Sequence, residues 1–217
     1  MDVVVPTSLG PGRLVVDAAA DPRAVLWLGH GAGGGIGALD LTALAAVLPG
    51  QGITVARYEQ PWRVAGRKVA LRPAALDAAW RETAPLVEEL AGGLPVVVGG
   101  RSAGARVACR TAASVGAVAI VCLAFPLHPP GRPEKSRLGE LLTPEVPVLV
   151  LQGERDTFGS AATLASEVGP RPSIRVIAVP GADHSMKVLA SSPLNARDVA
   201  ELVTSSVAGF IGEVTGG

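Results

Sequence analysis

Long apolar runs are missing from this chain. The longest, Ala117 to Phe125, is far too short to cross a bilayer, so no helical membrane span is expected. An excess of one charge is missing too. The 19 Lys and Arg balance 19 Asp and Glu, and no basic run concentrates them. Neither nucleic acid nor an anionic membrane surface is therefore expected as a partner. No basic segment leads from Met1-Asp2 into an apolar stretch of leader type, and a cytoplasmic protein is expected. Cysteine is scarce. Cys109 and Cys122 fall on an expected helix and an expected strand and read as small buried hydrophobes, with no disulfide. No Cys/His spacing suggests a metal site, and no cofactor is called for. Composition sets no oligomeric state.

What the chain does have is apolar residues and turn formers. Hydrophobic residues make up 48% of the 217, charged residues only 18%, and there are 27 Gly and 18 Pro. That is too apolar for disorder and suits one globular α/β domain over residues 1–217 with many turns. Val3–Val5 and Leu14–Val16, separated by Gly10-Pro11-Gly12, read as a hairpin. Strands are expected at Ala24–Leu28, Ile53–Tyr58, Pro95–Val98, Ala117–Leu123, Val146–Leu151 and Ile174–Val179. Helices are expected at Leu39–Leu48, Pro73–Ala91, Ala103–Val115, Ser160–Val168 and Arg197–Ile211. Strand alternating with helix predicts a mostly parallel sheet of about eight strands, covered on both faces.

The most informative segment is Gly100-Arg101-Ser102-Ala103-Gly104, which fits G-x-S-x-G. An expected strand precedes it and an expected helix follows, which is the context a nucleophile elbow requires. The small flanking residues suit a turn where strand and helix nearly collide. A serine hydroxyl needs a base, and the base needs a partner that fixes its tautomer. His184 lies in the loop after the last expected strand, and Asp156 in the loop after the strand before it. The order Ser102, Asp156, His184, each just past a strand end, is that of an α/β-hydrolase. Glu154 and Asp183 are the rival acids. Asp183 adjoins the histidine and Glu154 precedes the turn of the loop, so Asp156 is preferred.

Gly29-His30-Gly31-Ala32-Gly33-Gly34-Gly35 follows the third expected strand. Two backbone N–H groups must face a developing oxyanion. Ala103 would supply one, and Ala32 or Gly33 the other. The same loop also matches G-x-G-x-x-G, with Glu59 near the place of a ribose-binding acid. That dinucleotide reading leaves the Ser, Asp and His positions unexplained and is set aside. His30 is read as a structural loop residue.

Several segments together resemble the small lidless α/β-hydrolases related to dienelactone hydrolase. They are His30–Gly33, Gly100–Arg106, Phe125–Gly131, Gly153–Gly159 and Gly181–Ser185. Within that class the chain is most similar to the hydrolase group that includes NSL-complex subunit 3 and testis-expressed hydrolase-like proteins. The resemblance implies a single hydrolase fold and the Ser102, Asp156 and His184 roles. It implies no substrate. Dienelactone hydrolase itself has a cysteine nucleophile where this chain has Ser102. Some eukaryotic members look like scaffold subunits, so a catalytically silent interaction module is the alternative.

The segment Phe125–Thr143 is too short for a lid domain, which predicts an open site partly closed by the proline-rich loop. His128 in that loop and Trp62 after Glu59-Gln60-Pro61 are candidates to touch substrate; for both, ordinary packing is the plainer reading. Arg101 and Arg106 flank the serine, where either could attract a carboxylate or simply form a salt bridge. The expected activity is that of a serine carboxylesterase or thioesterase acting on a small acyl compound.

Overall fold

The computed structural model describes residues 1–216. Eight strands form one sheet: β1 (Asp2–Val5), β2 (Gly12–Asp17), β3 (Ala24–Gly29), β4 (Ile53–Glu59), β5 (Val96–Arg101), β6 (Ala119–Leu123), β7 (Val148–Gly153) and β8 (Ile174–Val179). Their order across the sheet is β1-β2-β4-β3-β5-β6-β7-β8. The β1–β2 and β2–β4 pairs are antiparallel, and every other pair is parallel. Among the described residues six helices lie between strands, α1 (Leu39–Val47), α2 (Pro61–Val64), α3 (Pro73–Ala91), α4 (Ala103–Thr111), α5 (Leu138–Leu142) and α6 (Ala161–Val168), and α7 (Ala196–Thr215) follows β8.

The pattern of burial follows from the sequence. β3, β6 and β7 are buried at every residue, as continuous apolar runs covered on both faces must be. β2 instead alternates buried and half-buried residues. One face of the sheet is packed by α2 to α6, with Trp62, Trp80, Val87, Val107, Leu141 and Leu164 contributing. α1 and α7 cover the other face through Leu41, Leu44, Val199, Val203, Val207 and Ile211. Trp80 of α3 stacks on Trp27 of β3, ring centroids 3.8 Å apart and 3° from parallel.

Local signals explain the helix ends. α3 starts on Pro73 and stops where Gly92 turns left-handed at φ 56°. α7 opens with a capping box between Asn195 and Asp198, one residue before its expected start. Two short helices, α2 and α5, lie in segments expected to be loops; at four and five residues they carry too little periodicity to read. α4 gives way to a 3₁₀ turn at Ala112–Val115. Cys109 on α4 and Cys122 on β6 are buried free thiols with sulfurs 3.6 Å apart. Residues 124–147, which join β6 to β7, hold only a 3₁₀ turn and α5, so no lid domain is inserted there. Among the described residues no helix is long and apolar enough to cross a membrane.

Candidate active site

β5 carries straight on through Gly99, Gly100 and Arg101, then turns abruptly. Ser102 takes φ 50° and ψ −108°, a conformation that L-residues rarely adopt, and α4 begins at the next residue. Such strain costs on the order of 1–3 kcal/mol and persists only where the surroundings impose it. The surroundings here are explicit. The Ser102 N–H donates to the Leu123 carbonyl of β6 at 2.9 Å, tying the turn to the sheet. Gly100 and Gly104 both press against Gly29 of β3, so a side chain at either would overlap the Gly29 carbonyl oxygen. The two glycines of the pentapeptide are thus demanded by the crossing of strand and helix.

The loops after β7 and β8 meet beside this serine. Gly153 makes the meeting possible, because a Cβ there would collide with the carbonyls of Ala182 and Asp183. The Arg155 N–H donates to the Ala182 carbonyl at 2.9 Å and locks the two loops together. His184 Nδ1 lies 2.8 Å from Asp156 Oδ2, and its Nε2 lies 3.0 Å from Ser102 Oγ. A carboxylate only accepts, so Nδ1–H donates to Asp156 and Nε2 is left to accept from the serine hydroxyl. Asp156 is buried, and its other contacts hold it in place. Gln152 Nε2 donates to Oδ2 at 3.0 Å, and the Phe158 N–H donates to Oδ1 at 2.8 Å. The rival acids are occupied elsewhere. Glu154 accepts from the Gly181 N–H, while Asp183 accepts from the N–H groups of Ser185 and Lys187. Phe158 stacks on the His184 ring, centroids 4.1 Å apart.

A cavity of about 680 Å³ opens above Ser102 and His184. Its walls include Ala32, Gly33, Ala103, Pro126 and Phe158, and Gly31 sits close against Ser102. The Ala103 N–H opens α4 and so has no partner within the helix. The expected donors Ala103, Ala32 and Gly33 therefore border the same space as the serine. Behind the loop, His30 Nδ1–H donates to the Gly31 carbonyl at 2.7 Å, and Nε2 accepts from the Gln60 N–H at 3.1 Å. Burial pushes the His30 pKa below its ordinary value, which keeps the ring neutral. His30 is a structural brace, as the sequence suggested. The glycine run leads into a 3₁₀ turn, with α1 starting only at Leu39, so it does not cap a helix as a dinucleotide loop would.

Three expected substrate contacts are placed differently. Arg101 borders the cavity, but its guanidinium is committed. It pairs with Asp40 of α1 at 2.9 Å and donates to the His184 carbonyl. Burial pushes the Asp40 carboxyl up, and the Arg101 charge pulls it back down. Trp62 is buried in the core, tilted against His30 behind the glycine loop, and does not reach the cavity rim. The bulk of the indole favours burial over exposure. His128 is half-buried, pairs with its neighbour's carbonyl at Pro129, and does not line the cavity; Pro126 represents that loop instead. Arg106 does border the cavity but is held by Glu140 at 2.6 Å. Asp40, Arg137 and Lys187 escaped the sequence reading, and Phe158 entered it only as part of the Gly153–Gly159 segment, with no role. No motif marks Asp40, while Phe158 follows Asp156 so closely that its place in the loop was the available signal.

A match to the family described as Alpha/beta hydrolase domain spans residues 22–212. The chain belongs to that family. No curated protein matches this α/β hydrolase in sequence. Among solved structures it is similar to a serine hydrolase without lid from Xanthomonas campestris, at 19% identity over 97% of this chain and 94% of the other, with a TM-score of 0.75. It is similar to Est1E from Butyrivibrio proteoclasticus at 13% identity, over 100% and 99% of the two chains, with a TM-score of 0.75. Thermogutta terrifontis esterase 2, in a form phosphorylated by paraoxon, is 17% identical over 99% and 94%, with a TM-score of 0.66. At these identities the likeness is one of fold.

Proposed function

We propose that this α/β hydrolase is a serine hydrolase of carboxylesterase or thioesterase type, acting on a small acyl compound. One observation carries the reading: His184 reaches Ser102 at 3.0 Å and Asp156 at 2.8 Å beneath an open cavity. Ser102 Oγ attacks the carbonyl carbon while His184 Nε2 takes the hydroxyl proton. Asp156 orients the imidazole and stabilises its charged form. The Ala103 N–H, with that of Ala32 or Gly33, receives the oxyanion. The intermediate collapses, the leaving alcohol or thiol departs with the proton from His184, and an acyl-Ser102 remains. Water then attacks the acyl carbon, again losing its proton to His184, and the acid is released as Ser102 is restored. The chemistry asks for no metal or cofactor.

The silent-module alternative predicts a blocked serine or a histidine turned away. An open cavity and an in-line histidine favour the enzyme. Esterase names among the structural neighbours lend further support. The likeness to the group with NSL-complex subunit 3 and testis-expressed hydrolase-like proteins stands as a proposal on the quoted motifs, as do a single domain and a cytoplasmic location. The test is covalent labelling by a fluorophosphonate probe, read by peptide mass spectrometry. Label should sit on Ser102 in folded protein and vanish in Ser102→Ala. Folded wild type that takes no label at Ser102 overturns the reading.

A further inference from the structure

Among the described residues four cationic side chains border the cavity, Arg101, Arg106, Arg137 and Lys187, and no carboxylate does. Two of the four are neutralised within the protein. Arg101 has Asp40. Arg106 belongs to a closed set in which Arg106 and Arg110 face Glu140 and Asp77, two charges of each sign. Arg137 and Lys187 are different. Among the described residues neither is within ion-pair distance of an acid. The Arg137 guanidinium donates once, to the Pro126 carbonyl at 3.0 Å, and the rest of the fork has no acceptor among the described residues. Arg137 stands just before α5 and Lys187 in the loop beyond His184, and both line the same cavity as Ser102.

We infer that the acyl compound carries an anionic group, a carboxylate or a phosphate, which Arg137 and Lys187 bind while Ser102 attacks the ester or thioester carbonyl. The inference rests on the serine-hydrolase reading. A half-buried guanidinium with no ion-pair partner of its own gains from the arrival of an anion, because Glu140, the nearby acid, is already paired with Arg106 and Arg110. Burial and then Arg106 act against the charged form of Arg137, and Glu140 offsets them only in part. Arg is also the side chain whose planar fork matches either oxyanion group in a bidentate way. Lys187 is exposed and lines the cavity, so its charge can draw an anion inward. The ion pairs of Arg101 and Arg106 leave these two as the unpaired cations of the cavity wall among the described residues.

The test compares two esters of equal acyl length, 4-nitrophenyl hydrogen glutarate and 4-nitrophenyl valerate. Their kcat/KM ratio isolates the added carboxylate. Wild type should favour the glutarate ester, and Arg137→Gln should lower the ratio by about ten- to a hundredfold, the scale of a lost charge-assisted hydrogen bond. Lys187→Gln should lower it by a smaller factor, and at its exposed position it carries the test should Arg137→Gln fail to fold. In a parallel arm, glutarate and inorganic phosphate compete with fluorophosphonate labelling of Ser102; the stronger protector identifies the anion. A wild-type ratio at or below one, a ratio that neither substitution lowers, or protection by neither anion overturns the inference. Hydrolysis of the valerate ester together with labelled Ser102 shows in each of those cases that the hydrolase reading itself still holds.

Discussion

Removing the Arg101 guanidinium should expose how much of the site's order depends on one buried ion pair. In Arg101→Met the stem is kept in volume but Asp40 loses its partner. The side chains of Arg101 and Asp40 are 9% and 1% exposed, so the stranded carboxylate cannot turn to water. Breaking such a pair from one side costs about 3–5 kcal/mol. An independent bound agrees. A stranded Asp40 can always escape by taking a proton, and that escape costs about 1.36 kcal/mol for each pH unit above its ordinary value. With that value at 3.8, the ceiling is about 4 kcal/mol at pH 7 and about 1.6 kcal/mol at pH 5. The sign is that of a carboxyl whose folded pKa is raised. The folded state holds the proton more tightly than the unfolded one, so stability is regained as pH falls and lost as it rises.

Urea unfolding of wild type, Arg101→Met and Arg101→Met/Asp40→Asn at pH 7 and pH 5 measures this directly. The single variant should be about 3–4 kcal/mol less stable than wild type at pH 7, with about 2 kcal/mol of that deficit removed at pH 5. The double variant should recover most of the loss at pH 7, because no charge is left to strand. Labelling of Ser102 should slow in both, since the His184 carbonyl has lost its donor. A deficit equal at the two pH values, or a double variant no more stable than the single one, refutes the reasoning.

Other substitutions probe the remaining contacts. Gly104→Ala places a Cβ against the Gly29 carbonyl and should cost about 1–3 kcal/mol in thermal unfolding, with weaker Ser102 labelling even in the folded fraction. Burial lowers the His30 pKa beneath its ordinary 6.5, so the unfolded state takes the proton first and stability falls as pH drops below that value. The loss should reach at most about 2 kcal/mol by pH 5, and urea midpoints of His30→Gln should fall less over the same interval. Phe158→Ala removes the ring stacked on His184 and should lower ester kcat/KM about two- to tenfold, from a stacking contact of about 0.5–1.5 kcal/mol; an unchanged value refutes a positioning role.

The parts of the site that sequence reveals are those set by backbone geometry. G-x-S-x-G is readable because two chain segments cross where only hydrogen fits, and both glycines meet Gly29. Asp156 could be chosen over Glu154 and Asp183 because the position of a residue past a strand end dictates which way it faces. The Asp156 carboxylate duly meets His184, and the other two meet backbone amides. The glycine loop is legible for the same reason, since a short stretch after β3 can only lie beside the neighbouring strand β5. Long side chains escape this logic. Arg101 was expected to greet substrate, yet its guanidinium ends several bonds from its Cα, beside Asp40 on a helix sixty-one residues away in sequence. Trp62 and His128 were placed by loop position alone, and their direction depends on packing partners that no local pattern names. Arg137 and Lys187 are the reverse case. Nothing local distinguishes them from surface cations, and their meaning appears only when the acids that neutralise Arg101, Arg106 and Arg110 are accounted for in space. The meeting of Ser102, Asp156 and His184 is therefore a feature of chain topology, whereas the anion specificity proposed for the site depends on unpaired charge, which exists only in the folded molecule.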